Sequence, residues 1–110
     1  MNQDLDVNAQ VKQILKVIQE LAPGRSVELR IPPYAAIQCI GGSTHRRGTP
    51  PNVVEMSART LINLTQSPKK WQEFCEIGLI SASGTSSDLS TIFYRMAKLS
   101  QSLGGTENGK

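Results

Sequence analysis

The stretch Val27-Glu28-Leu29-Arg30-Ile31-Pro32-Pro33-Tyr34-Ala35-Ala36-Ile37-Gln38-Cys39-Ile40 decides the fold class. Val27, Leu29 and Ile31 alternate with Glu28 and Arg30, the pattern of a strand with one buried and one wet face. Pro32-Pro33 stops that strand, because proline has no N–H to give to a sheet ladder. Tyr34 to Ile40 then reads as a second, more apolar strand. Together they predict a hairpin-like, antiparallel start to a sheet.

Outward from this stretch, the remaining segments alternate in type. Before it, Val7, Val11, Ile14, Leu15, Ile18, Leu21 and Ala22 recur at three- and four-residue intervals. That spacing predicts a one-faced helix, capped by Asp4 or Asp6 and ended by Pro23-Gly24. After it comes an irregular loop, Gly41-Gly42-Ser43-Thr44-His45-Arg46-Arg47-Gly48-Thr49-Pro50-Pro51-Asn52, and then a short strand, Val53-Val54-Glu55-Met56. Ser57 offers an N-cap to a helix carrying Leu61, Ile62 and Leu64. Pro68 suits the first position of a further helix over 69–77, and Gly78 suits its C-terminal end. Leu79 to Ser83 is the last strand. Ser86, Ser87 or Asp88 caps a final amphipathic helix with Leu89, Ile92, Phe93, Met96, Ala97 and Leu103 inward.

The order is helix, three strands, two helices, strand, helix. It predicts an α+β fold: a mixed, mainly antiparallel sheet of about four to five strands with helices packed on one face. A right-handed crossover can join the strand before the helix pair to the strand after it. Residues 1–103 form a single domain in this reading, and the polar, glycine-rich tail 104–110 is expected to be disordered.

Composition narrows the function classes. A chain of 110 residues is the size of one domain and buries roughly 65% of its unfolded surface, enough for one core. The net charge of +3 comes from basic residues scattered among acids, apart from Arg46-Arg47 and Lys69-Lys70. With only five aromatics besides, neither the basic stripe nor the stacking platforms of a nucleic-acid binder are present. The polar, acidic first residues do not resemble a secretion signal, and no apolar run approaches the ~20 residues that cross a bilayer. The expected location is the cytoplasm. Cys39 and Cys75 sit in apolar stretches and read as buried thiols.

Three strings invite a catalytic or phosphate-binding reading, and each fails on its chemistry. Gly41-Gly42 with basic residues nearby lacks the Lys-Ser/Thr that opens a helix after a phosphate loop, and Pro50-Pro51 removes backbone donors. Ser67-Pro68-Lys69-Lys70 matches the Ser-x-x-Lys of acyl-transfer enzymes, but its companion motifs are missing and a helix start explains it. His45 is the single histidine, short of both a triad and a metal ligand set. A solvated side chain is its ordinary reading. Together with Arg46 and Arg47 it is also a candidate anion or headgroup contact, since arginine suits bidentate recognition. On the 69–77 helix, Trp71, Phe74 and Cys75 share a face, which is either plain core or one wall of an apolar pocket.

The run Glu28 to Gln38, followed by Arg47-Gly48-Thr49-Pro50-Pro51-Asn52-Val53-Val54-Glu55, resembles the bacterial branch of the sterol carrier protein family. The succession of Leu61 and Leu64, Trp71, Gly78, Ser83-Gly84 and Asp88-Leu89-Ser90 is similar to the second half of the sterol carrier protein 2 domain. The likeness covers about residues 7 to 100. It implies a five-stranded mixed sheet with helices on one face and an apolar cavity between them. It also implies binding or transfer of sterols, fatty acids or acyl-CoA. A related module is attached to mycothiol-dependent enzymes, whose catalytic metal lies in a separate helical domain. This chain's single histidine cannot supply such a site.

The expectation is therefore a non-enzymatic binding or carrier module for an apolar small molecule: a lipid, a sterol-like compound or a fatty acyl ligand. No cofactor, metal or nucleic acid is expected. The expected apolar lining is Ile37, Val54, Leu61, Trp71, Phe74, Leu79, Phe93 and Met96. The alternative is a protein-interaction or accessory module with a fully packed core, whose partner is another protein or, as a homodimer, a second copy.

Overall fold

The computed structural model describes residues 3–42 and 52–108, with side chains over 6–42 and 52–100. Helix α1 (Gln3–Leu21) leads to strands β1 (Val27–Ile31), β2 (Ala35–Cys39) and β3 (Asn52–Met56). Helix α2 (Ala58–Gln66), a 3-10 turn (Pro68–Lys70) and α3 (Trp71–Glu76) follow, then β4 (Ile80–Ser83) and α4 (Ser90–Asn108). The four strands form one mixed sheet in the order β2-β1-β3-β4. This is the α+β architecture that the strand and helix patterns imply.

Alternation fixes which face of the sheet is buried. Val27, Leu29 and Ile31 of β1 and Val54 and Met56 of β3 point into the core under the helices. Glu28, Arg30 and Glu55 point outward, where Arg30 reaches Glu28 at 3.3 Å and Glu55 at 3.9 Å. These exposed pairs add little stability, but they keep the outer face wet. In α1 the buried stripe is Val11, Leu15 and Ile18. Phe93 of α4 is fully buried, and its ring lies 6.2 Å from that of Trp71. Local signals behave as their chemistry demands. Ser57 Oγ accepts the Thr60 N–H at 3.1 Å, and Asp88 accepts the Ser90 N–H at 2.9 Å. Pro68 opens the 3-10 turn. Helix α4 runs past Leu103 to Asn108.

One topological expectation is corrected. β3 and β4 are antiparallel neighbours, not strands joined by a crossover, and Met56 stands opposite Ile80. The cause is the tight return after α3. Gly78 takes a φ of +86°, and Leu79 donates its N–H to Phe74 at 2.8 Å. The helix pair thus brings the chain back to the end of the sheet it left, so the next strand has to run backwards. The parallel pair is β1 and β3, which start together at Val27 and Asn52.

Candidate ligand-binding site

Because β1 and β3 are parallel, they leave the sheet at the same end. The segments that follow them, Pro32-Pro33-Tyr34 and Ser57 onward into α2, therefore lie near each other, with α1 alongside. There a groove of about 510 Å³ is lined by Val7, Pro32, Tyr34, Ser57, Ala58, Arg59, Ile62 and Asn63. It shares Ile62 with a second groove of about 490 Å³, between α1 and α2, lined by Ala9, Gln10, Gln13, Ile14, Ile62, Thr65 and Gln66. On its other side Pro32 and Tyr34 also line a recess of about 330 Å³ with Arg30, Pro33, Ala35 and Ala36. All three exceed the ~300 Å³ that small-molecule sites usually need, the recess only narrowly.

The chemistry of the first groove is that of a binder. Val7, Pro32, Ala58 and Ile62 give it apolar surface, while Tyr34, Ser57 and Asn63 add neutral polar atoms. Arg59 is its single charge and has no ion-pair partner among the described residues. Among the described residues the lining holds no His, Cys, Asp or Glu, so these residues offer neither a general base nor an activated nucleophile. Outside the groove, burial pushes the Cys39 thiol up to about 11. Desolvation, then the carboxylates of Asp88 and Glu76, raise that of Cys75. Both thiols are therefore less acidic than a free cysteine's, which slows their reactions without blocking them. Among the described residues no cluster of three His, Cys, Asp or Glu could hold a metal ion.

The eight residues expected to line an apolar pocket are divided by the fold. Val54, Leu61, Trp71 and Phe93 are buried in one continuous core, and Ile37, Phe74 and Met96 pack on its margin. Leu79 stands apart, 47% exposed at the start of β4. None of the eight lines the grooves described above. His45, Arg46 and Arg47 lie outside the described residues.

Two residues with a clear job carried no periodic signal in the sequence. Asn52, 4% exposed, donates from Nδ2 to the Ser26 carbonyl at 2.9 Å and accepts the Ser86 N–H on Oδ1 at 3.0 Å. One amide thus ties the start of β1, the start of β3 and the turn after β4. Ser26 in turn donates from Oγ to the Ile40 carbonyl at 2.8 Å. The groove residues Tyr34, Arg59 and Asn63 were equally silent, since only the parallel pairing of β1 with β3 brings them together.

A comparison with curated proteins finds no match. A family model described as a bacterial SCP ortholog, SCP standing for sterol carrier protein, matches residues 4–94. That span takes in every strand and the Trp71–Phe93 pair, so the chain belongs to the bacterial sterol carrier protein family.

Proposed function

We propose that this protein is a non-enzymatic binding or carrier module for an apolar small molecule, lipid-like in character. The observation that carries this reading is the groove of about 510 Å³ at the shared exit of β1 and β3, apolar in its greater part and equipped with a cation, Arg59, that has no ion-pair partner among the described residues. Family membership favours the same class of ligand. The lack of His, Cys, Asp and Glu among the described lining residues favours carriage over conversion.

The test is native mass spectrometry and lipid extraction of the purified protein, followed by titration with a fatty acid. Saturable binding that weakens about tenfold in Tyr34→Ala and Ile62→Asp is expected, a loss of about 1.4 kcal/mol. Trp71 fluorescence separates two modes of entry. It stays constant if the ligand remains in the groove, and it shifts if the chain opens the layer of Val54, Leu61, Trp71 and Phe93. No extracted lipid and no saturable titration would end the reading.

A second reading is favoured by the close packing of those four residues: an interaction module with a solid core, meeting its partner through residues 41–52. Loops on rigid scaffolds often carry recognition. In that case replacing His45, Arg46 and Arg47 abolishes partner binding at unchanged thermal stability, while fatty-acid titration stays flat.

A further inference from the structure

Helix α4 turns Ile92 and Phe93 into the core. Its other side carries a mix of apolar and cationic side chains. Tyr94 is 50% and Leu99 49% exposed, two of the four large apolar side chains that stand in solvent among the described residues. Arg95 and Lys98 are exposed between them. Positions 94 and 98, like 95 and 99, are neighbours across one helical turn, so the four side chains form a single patch. From Leu89 to Thr106 these two cations are the only charges in the sequence.

The patch runs on to the end of α1, where Leu21, Arg95, Lys98 and Leu99 line a recess of about 370 Å³. Arg95 donates from Nη1 to the Leu21 carbonyl at 3.3 Å, which holds the guanidinium against the end of α1. Neither Arg95 nor Lys98 pairs with a carboxylate among the described residues. Whatever covers this patch has to be apolar and anionic together. Four side chains cover well under the ~800 Å² per partner of a standard protein interface. A bilayer needs neither that area nor a matching shape. It offers dense anionic headgroups above hydrocarbon, where tyrosine and leucine can sink while lysine and arginine stay at the phosphates.

We propose that the α4 patch of Tyr94, Arg95, Lys98 and Leu99, with Leu21 beside it, is a docking surface for an anionic lipid bilayer. Leu99 and the Tyr94 ring enter the boundary between headgroups and acyl chains. Lys98 and Arg95 donate to phosphate oxygens, the charge-assisted bonds that each cation makes best. The net charge of +3 draws the chain towards such a surface. Each cation near an anionic bilayer strengthens binding roughly fivefold, and two apolar side chains make a small insertion, so the contact is weak and reversible. The groove near Tyr34 lies towards the other end of α1. Val7 lines that groove and Leu21 this recess, 14 residues (21 − 7 = 14) and about 21 Å apart along the helix. The proposal is therefore independent of what fills the groove.

Flotation of the full chain with vesicles of equal parts phosphatidylglycerol and phosphatidylcholine is expected to show saturable binding at low salt. Binding should be at least roughly tenfold weaker on pure phosphatidylcholine and in about 0.5 M sodium chloride. Lys98→Gln should weaken it roughly fivefold, and Lys98→Gln combined with Arg95→Gln at least roughly tenfold. Leu99→Gln removes the apolar insertion and should cost about fivefold. All these positions are exposed, so the thermal midpoint should hold. Because Arg95 also bonds Leu21, Lys98→Gln and Leu99→Gln carry the test alone if the double variant melts early. Leu79→Gln, at the exposed leucine before β4, should leave vesicle binding intact. No binding to anionic vesicles, as expected if the patch served an acidic protein instead, overturns the proposal. So does equal binding to neutral vesicles, or binding that survives both Lys98→Gln and Leu99→Gln.

Discussion

Where β2 ends beside the start of β1, the Ile40 carbonyl receives the Ser26 N–H at 2.9 Å and the Ser26 hydroxyl at 2.8 Å, while the Ile40 N–H goes to Ala22 at 2.7 Å. Gln19 and Arg25 add side-chain bonds to Gln38. Along β4, by contrast, Ser81, Ala82 and Ser83 are all exposed. The tied end of β2 is also where the backbone is least relaxed. Ile40 holds a φ of 66°, rare for a β-branched residue, and Gly24 sits against it at a φ of +148°. Holding Ile40 there costs on the order of 1–3 kcal/mol and persists because its two backbone groups are tied from both sides. The difference teaches that fixing the end of a strand takes specific residues, whereas the outer side of β4 is left to solvent by their absence.

The sharpest way to break this contrast is Gly24→Ala. A Cβ at that position meets the Ile40 carbonyl oxygen at 2.2 Å and the Gly41 nitrogen at 2.3 Å, both backbone atoms with nowhere to go. A loss of about 3 kcal/mol or more in urea denaturation is expected, and a loss under about 0.5 kcal/mol would show that the clasp is not rigid. Next in size is Asn52→Ala. It strands the buried Ser26 carbonyl and the Ser86 N–H, at a cost of about 1–3 kcal/mol by the same measurement.

The smallest effect is a pH dependence of the buried thiol at that same end of β2. Cys39, at the end of β2, is fully buried, and its thiol is pushed from the ordinary 9.0 to about 11. Between those values the folded chain keeps a proton that the unfolded chain has lost. The stability this group contributes is whole below pH 9.0 and is lost as pH rises through about 11. Cys39→Ala should flatten that alkaline decline in denaturant midpoints. Iodoacetamide should modify Cys75 in the native protein and reach Cys39 only on unfolding. Equal labelling of the two would contradict the described burial.

These expectations also mark what the sequence carries and what it does not. Alternation at Val27–Ile31 and Val53–Met56, the Ser57 cap, Pro68 and Gly78 are local, so each could be read before any fold was known. The direction of β4 could not be, because it depends on how far the α2–α3 excursion carries the chain before Gly78 returns it. The candidate site was harder still. Leu61 and Trp71 show the same apolar spacing whether they wall a pocket or fill a core, and only packing separates the two. Leu79 follows the strand pattern yet lies where the helical layer has ended. Tyr34 and Arg59, which share the main groove, are 25 positions apart along the chain (59 − 34 = 25) and meet only through the parallel pair.

Asn52 has a consequence for the chemical ageing of the molecule. Asparagine side chains hydrolyse slowly to carboxylates, and at most positions the protein survives the change. Here the product would set oxygen against oxygen at Ser26 and leave a negative charge at a position only 4% exposed. Held at both ends, the Asn52 amide is kept from the contorted geometry that the reaction requires. The clasp that joins three segments thus also shields the one side chain whose decay would undo it.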